Sequence, residues 1–435
     1  MNSDSLDNKI NIVTLGCSKN LVDSEVLIHQ LKRNNIIVEH NSDNFDSKIV
    51  IINTCGFIDD AKEESINKIY YYVKAKIEGK INKLYVVGCL SEKYKNLLIE
   101  KIPEVDKYYG VNYLQDIIST FKLKYYKDLI YQREITTPGH YAYLKISEGC
   151  NRKCSFCSIP FIRGKYISKP IDLIVKEAEY LANTGVKEII LIAQDLTYYG
   201  IDLYKKPSLS VLISEISKIP NIEWIRLHYA YPANFPLNLI KIIKENPKVC
   251  KYIDIPFQHI SDNMLRKMLR GTKSEYIQNL IDIIRNEIPE VAIRTTLLVG
   301  HPGETKKDFN LLKEFVIKNR FERLGVFTYS SEENTYSYCN YKNNIPNKIK
   351  NERFDEIMNI QKEISLQLNQ AKINKYYKVI IDKNENGKYI GRTEFDSPEV
   401  DNEVKIKNNN LIIGNYYNVK IISASEYDII GKLVE

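Results

Sequence analysis

No stretch of about eighteen apolar residues occurs in the 435-residue chain, so no membrane-spanning helix is expected. The opening MNSDSLDNKI lacks the charged start and apolar core of a secretory signal, which points to a cytoplasmic protein. A dense Lys/Arg block is also missing. The net charge of +7 is spread along the chain, which permits contact with a polyanion without requiring it. Repeats and low-complexity tails are absent. Eight cysteines in a cytosolic chain argue against a disulfide scaffold and for metal binding or catalysis. The apolar and charged fractions, 44% and 27%, are those of an ordinary globular protein. The length suits two to four domains. Frequent Asn, Ile, Lys and Tyr read as nucleotide-composition bias.

What is present is an alternation of short apolar strands with amphipathic helices. INIVTL, KIVIIN and KLYVVG are each followed by a helical stretch, over about Lys19–Asn34, Ile58–Ile77 and the residues after Gly88. In the last of these, Tyr94, Leu97 and Leu98 are expected to face inward. This pattern predicts a doubly wound parallel sheet over residues 1–132. Pro138-Gly139 marks a linker. From Tyr141 the alternation resumes with YAYLKI, EIILIA, WIRLHY, YIDIPF, AIRTTLLV and RLGVFTY, and helices over Asp172–Thr184 and Lys306–Asn319 fall between them. Six βα units predict a partial (β/α)6 TIM-like barrel over 133–370, closed by a helix from about Asn347 to Asn374. Short strands with Asn- and Gly-containing turns then predict a small all-β barrel over 371–435.

The chemistry is carried by cysteine spacing. EGCNRKCSFC places Cys150, Cys154 and Cys157 in a C-x-x-x-C-x-x-C run after the first barrel strand, where such folds put their active sites. A closed zinc site needs a fourth ligand, and none lies nearby. Three thiolates on a 4Fe-4S cluster instead leave one iron open to a small chelating ligand, such as the amino and carboxylate groups of a methionine derivative. A zinc site completed by a distant histidine is the rival. His228 and His259 sit at strand ends, where a polar active-site role and a structural role both remain open. Cys17, Cys55 and Cys89 each follow a strand in a separate βα unit, and parallel strands share one carboxyl edge. Their common position predicts a second three-thiolate 4Fe-4S cluster. Cys250 and Cys339 read as ordinary thiols.

These features resemble the radical S-adenosylmethionine (SAM) methylthiotransferases over nearly the whole chain. TLGCSKN, INTCGFI, VVGCL, the C-x-x-x-C-x-x-C run and a TRAM-like terminal barrel carry the likeness. LGCSKNLVDSE, LIAQDLTYYGID, YIDIPFQH and SPEVD resemble the RimO-like class, which modifies an aspartate of ribosomal protein S-twelve. The alternative class modifies a tRNA adenosine next to the anticodon. A reading of another kind is a non-catalytic zinc-binding, ribosome-associated module. In VGHPGET, His301 stands where the family usually has an aromatic.

The resemblance implies that Cys150, Cys154 and Cys157 hold the cluster that binds and cleaves SAM. The cluster on Cys17, Cys55 and Cys89 would hold the sulfur to be inserted. A deoxyadenosyl radical would take hydrogen from the aspartate β-carbon, and a second SAM would give the methyl group. Implied partners are S-twelve, free or in the small subunit, and an electron donor such as flavodoxin or ferredoxin. Gln194, Asp195, Arg294, Gly303 and Glu304 are candidate SAM contacts, each with a structural role as the alternative; Phe156 reads as a cover for the cluster, a flank for the adenine or a simple packing residue, and Arg163-Gly164 as a loop anchor. The terminal 65 residues carry ten basic and ten acidic groups. Glu394, Asp396, Glu399, Asp401 and Glu403 form an acidic stretch without a base. It reads either as a steering surface for a basic ribosomal protein or as a solvated turn.

Overall fold

Ile- and Val-rich runs too short for helices form the strands of a computed structural model that describes residues 9–407 and 410–434. The MNSDSLDN start lies outside the described residues. No described helix is long and apolar enough to cross a membrane. Packing groups the chain into two units, where the sequence suggested three segments. The first is Met1–Thr137, Tyr143–Asn151 and Ser158–Tyr180; the second is Pro138–Ala142, Arg152–Cys157 and Leu181–Glu435.

In the first unit, β1 (Lys9–Thr14), β2 (Ile37–His40), β3 (Ile49–Thr54), β4 (Lys83–Gly88) and β5 (Lys107–Tyr108) form a parallel sheet ordered β2-β1-β3-β4-β5. Side chains alternate across it. Ile10, Ile12, Ile49 and Ile51 pack against Leu27, Ile28, Leu31, Ile117 and Ile118 on one face. Val13, Val50, Ile52 and Val86 meet Ile69, Val73 and Leu98 on the other. Both faces are therefore covered, as a doubly wound sheet requires. The inward phase expected for Leu97 is not found, because Tyr94 leaves helical geometry (φ −120°, ψ 22°) and Leu97 ends 51% exposed. β6 (Tyr141–Lys145) runs into this unit, followed by an antiparallel pair, β7 (Ser147–Glu148) and β8 (Ile167–Ser168).

The second unit holds β9 (Glu188–Ile192), β10 (Trp224–Leu227), β11 (Val249–Asp254), β12 (Ala292–Val299) and β13 (Arg323–Thr328), in spatial order β13-β12-β11-β10-β9. This is the open parallel sheet expected of a partial barrel. The helix Asn347–Gln370 ends four residues sooner than its apolar pattern suggested. β14 (Tyr376–Glu385), β15 (Lys388–Thr393), β16 (Glu403–Lys407), β17 (Tyr416–Ala424) and β18 (Asp428–Leu433) close into a barrel around Val379, Ile381, Val404, Val419 and Ile429.

The small barrel meets the central sheet through charge as well as apolar surface. Trp224, Tyr252 and Ala292 pack against Ile380 and Phe395. Around them, Arg392 of the barrel pairs with Glu188 of the sheet at 2.6 Å, Arg226 of the sheet donates to Glu394 O at 2.6 Å, and Arg323 pairs with Asp396. Asp396 has no exposed surface. Burial alone would raise its carboxyl pKa, but the charges of Arg323 and Lys372, with hydrogen bonds from Arg323 and Thr393, hold it below the ordinary value. The folded pKa lies under the unfolded one, so this stabilisation is complete above about pH 4 and is lost as pH falls further. Asp396→Asn leaves Arg323 buried without its anion and is expected to cost about 3 kcal/mol or more in denaturant unfolding. Glu399→Gln, at an exposed position, is expected to cost less than about 0.5 kcal/mol. Equal midpoints for the two variants would contradict the pairing.

Candidate functional site

The adjacent strands β1, β3 and β4 present Cys17, Cys55 and Cys89 at one sheet edge. Thr14 lies opposite Asn53, and Thr54 opposite Gly88, so the strands end in register. Cys17 caps the helix Ser18–Arg33, and Cys89 opens the helix Cys89–Lys101. Helix amino ends favour thiolate over thiol. The turns approach closely. A Cβ on Gly16, whose φ is +89°, would fall 2.5 Å from Cys55 Cβ and 2.9 Å from its Sγ. Asn20 ties the turns together, donating to Leu15 O at 3.0 Å and Thr54 O at 3.1 Å, while its Oδ1 lies 3.8 Å from Cys89 Sγ.

A guanidinium completes this group. Arg163 Nη2 donates to Asn20 Oδ1 at 2.6 Å, and Nη1 reaches Glu148 at 2.9 Å and Asp23 at 3.3 Å. Lys145 joins both carboxylates. Burial pushes the Cys89 thiol up to about 12 against the opposing charge of Arg163, and it raises the Cys55 thiol as well. Loading a metal group there must therefore release protons. Ser18 Oγ and Ser91 Oγ, next to Cys17 and Cys89, are buried without a hydrogen-bond partner among the described residues. Unsatisfied hydroxyls beside three thiols suit a group that brings its own acceptor sulfurs.

Among the described residues, no three His, Cys, Asp or Glu side chains are placed to hold a single metal ion. A zinc ion gathers its ligands around one centre, with each thiolate about 2.3 Å from it. A polynuclear cluster takes one thiolate per iron, so its ligands stand further apart.

Cys150 lies in the first unit, where its N–H donates to Gly164 O at 3.1 Å. A Cβ on Gly149, with φ +73°, would strike Lys165 O at 2.1 Å. Arg163 and Gly164 thus anchor the loop. Cys154 and Cys157 belong to the second unit, where the Cys157 N–H closes a turn onto Cys154 O at 3.1 Å. Ser155 N–H donates to Met268 O at 3.0 Å and its carbonyl accepts from Ser337 N–H at 2.7 Å. His301 Nε2 bridges Ser155 Oγ at 3.2 Å and Ser337 Oγ at 2.8 Å. The histidine in the aromatic position therefore keeps ring contacts with Phe156 and Tyr329 and adds polar ties. Phe156 packs with Met264, Met268, Leu298 and Tyr329, the packing role among those open to it. Cys154 Sγ is 3.1 Å from Arg270 Nη1 and 3.7 Å from Tyr231 OH.

The five residues expected at SAM fall into two groups. Gln194 Oε1 is buried with no partner among the described residues, and Gly303 takes φ +85°. The others are engaged by the protein. Asp195 accepts from Arg152 Nε at 2.7 Å and Thr197 Oγ1 at 2.6 Å. Glu304 binds Arg353 at 2.8 Å and the Gly300 N–H. Arg294 stands near the amino end of β12, not its carboxyl end, and pairs with Asp254 at 3.2 Å and Asp401 at 3.6 Å.

His259 Nδ1 accepts two backbone N–H groups, and His228 meets Ser397 Oγ at 2.9 Å, so both serve structure. Cys250 is buried and Cys339 exposed.

The acidic stretch is largely consumed inside the second unit, which corrects its reading as a free steering surface. Glu394 accepts the Lys251 N–H at 3.1 Å, Asp396 is paired as above, and Asp401 accepts Tyr252 OH at 2.7 Å. Glu403 is held by Lys383 at 3.3 Å. Glu399 alone of the five is exposed, and it accepts from Tyr141 OH. A run of carboxylates in sequence carries no information about arginines brought to it by other strands.

Comparisons with known proteins agree with this architecture. The Radical SAM superfamily model matches residues 144–316, the model of Uncharacterized protein family UPF0004 matches 9–110, and the TRAM domain model matches 373–434. A solved structure of the radical S-adenosylmethionine methyltransferase TsrM from Kitasatospora setae aligns at TM-score 0.56 and 14% identity, covering 74% of this chain and 75% of that one. Such a likeness shows the fold. Among curated relatives, the ribosomal protein uS12 methylthiotransferase RimO of Bacteroides fragilis is 54% identical over 98% of this chain and 99% of its own. The protein of the same name from Cytophaga hutchinsonii is 52% identical over 98% of each. The chain belongs to the RimO family of uS12 methylthiotransferases.

The geometry at Gly16 sets a test. Gly16→Ala forces Cys55 aside, and anaerobically reconstituted protein is expected to lose roughly half its iron and sulfide while the other cysteine set stays loaded. Full iron in this variant would separate Cys55 from the site.

Proposed function

We propose that this enzyme methylthiolates the β-carbon of an aspartate of ribosomal protein uS12, with one 4Fe-4S cluster on Cys17, Cys55 and Cys89 and a second on Cys150, Cys154 and Cys157. The observation that carries the reading is 50–54% identity to RimO proteins over 98% of the chain, with both cysteine sets at strand ends. When bound, the clusters and SAM supply one-electron cleavage of the sulfonium, hydrogen removal from an unactivated carbon, and the sulfur and methyl that replace the hydrogen.

The chain's own residues bind, orient and exclude water. Three thiolates per set leave one coordination place open to a non-protein ligand. Asn20 and Arg163 hold the turns that carry Cys17 and Cys55. His301 and Ser337 fix the turn that carries Cys154, while Phe156 seals it with Met264 and Met268. Gln194 and Gly303 remain the favoured SAM contacts, since Asp195, Arg294 and Glu304 already have protein partners. The electron donor is a low-potential carrier of the flavodoxin or ferredoxin kind. The substrate is uS12, free or in the small subunit, and the site of action is the cytoplasm.

The test is mass spectrometry of uS12 and nucleoside analysis of tRNA from cells with and without the enzyme. The methylthio group is expected on uS12, with tRNA unchanged; the reverse result would move the activity to the adenosine class. Purified Cys154→Ala is expected to make no deoxyadenosine, and Cys55→Ala to cleave SAM without forming methylthiolated product. Zinc without iron in the anaerobic wild-type protein would reduce it to a binding module.

A further inference from the structure

Six arginines are buried among the described residues: Arg133, Arg163, Arg226, Arg270, Arg323 and Arg392. A guanidinium cannot shed its charge by losing a proton, so each needs an anion close by. Five have a carboxylate. Arg133 meets Glu25 and Glu177, Arg163 meets Asp23 and Glu148, Arg226 meets Glu188, Arg323 meets Asp396, and Arg392 meets Asp382.

Arg270 does not follow that pattern. It is 3% exposed, and its Nη2 donates to a neutral carbonyl, Pro256 O. Its Nε has no partner among the described residues. The group able to carry negative charge that it hydrogen-bonds is the Cys154 thiol, with Nη1 3.1 Å from Sγ; Tyr231 and the Asp195 carboxylate, itself held by Arg152, add to the field without a hydrogen bond to the guanidinium.

The side chain is also held in place. Arg270 N–H donates to Leu265 O at 2.9 Å, and Tyr231 OH donates to Arg270 O at 2.8 Å. The Tyr231 ring lies 4.3 Å from the Arg270 guanidinium and 4.0 Å from that of Arg152. A donor fixed by its own backbone and by an aromatic face meets the sulfur without a search.

We propose that Arg270 is the counter-ion of the Cys154 thiolate and raises the reduction potential of the cluster held by Cys150, Cys154 and Cys157. This rests on the assignment of that cluster above. Reduction adds one electron, drawn from a one-electron donor, and hence one negative charge; no bond to Arg270 forms or breaks. A fixed cation beside a ligand sulfur favours the more negative state, and hydrogen bonds to sulfur, net charge and burial are what set such potentials. Arg163 lies near the other cysteine set, but Asp23 and Glu148 already balance its charge. The effect belongs to the C-x-x-x-C-x-x-C cluster alone. Arg270 is thus a positioning residue for the electron rather than a catalytic one.

The test is a redox titration of the anaerobically reconstituted full-length enzyme with dithionite and mediators, followed by electron paramagnetic resonance. The relevant signal is the one that changes when SAM is added. In Arg270→Gln, at full iron and sulfide content, the reduced-to-oxidised ratio at a fixed potential is expected to fall about tenfold, a shift of about 59 mV to more negative values. The second, SAM-insensitive signal is expected to keep its midpoint. Arg270→Lys keeps the charge and loses the planar fork, so its midpoint is expected between those of Gln and wild type.

An unchanged midpoint in fully loaded Arg270→Gln overturns the proposal. So does loss of the cluster in both variants, which would make Arg270 a scaffold residue. Absence of any SAM-sensitive signal in the wild type would instead overturn the cluster assignment.

Discussion

A charged side chain that leaves water must meet its opposite inside, and the pairing of buried guanidinium with buried acid organises both units of this protein. In the first unit, Arg133 draws Glu25 of the helix after β1 to Glu177 of a later helix. In the second, Arg392 reaches Glu188, Arg323 reaches Asp396 and Arg226 donates to Glu394 O, and these contacts join the central sheet to the terminal barrel. Burying an ion pair adds little net stability, because desolvation offsets most of the attraction. Removing one member is another matter, since the remaining charge has nowhere to go. These pairs therefore act on specificity of packing more than on its strength. They discriminate against arrangements in which a guanidinium would face an apolar wall.

The cysteine sets depend on a second constraint, the common direction of parallel strands. In a sheet ordered β2-β1-β3-β4-β5, the three central strands are neighbours and end in register. A residue one to three positions beyond each strand then falls on the same edge without further design. Gly16 and Gly88 permit the close approach, the latter because a Cβ there would strike Asn53 Oδ1 at 2.4 Å. The same topological rule places Cys150 after β6. In both sheets, then, a cysteine stands beyond the carboxyl end of a parallel strand.

Much of this could be read from the sequence because period and position leave marks in it. Strand–turn–Cys repeated three times announced the shared edge, and the helix Lys306–Asn319 was bounded as expected. What could not be read was pairing across distant strands. Asp396 and Asp401 look like surface charge until Arg323 and Arg294, more than seventy residues earlier on β13 and β12, are seen to face them. Arg294 looked like a ligand contact because it lies on a barrel strand, but its place near the amino end turns it toward the acidic loop. Arg270 carried no signal at all; LRGT is an unremarkable turn until Cys154 is brought to it. Asn20 stood inside a recognised run, yet its double donation to two turns is a property of packing that spacing does not encode.

The loop from Glu394 to Asn402 has a bearing on how such proteins can be rearranged. Small terminal barrels are often regarded as exchangeable attachments that lend a core enzyme new recognition. Here the attachment supplies the acid for Arg323 and Arg294 in the core. A chain cut before β14, or fitted with a barrel of another lineage, would leave Arg323 without its anion and Arg294 with Asp254 alone. Exchange in this lineage is therefore expected to proceed by co-inheritance, with barrel and central strands travelling as one piece of genetic text.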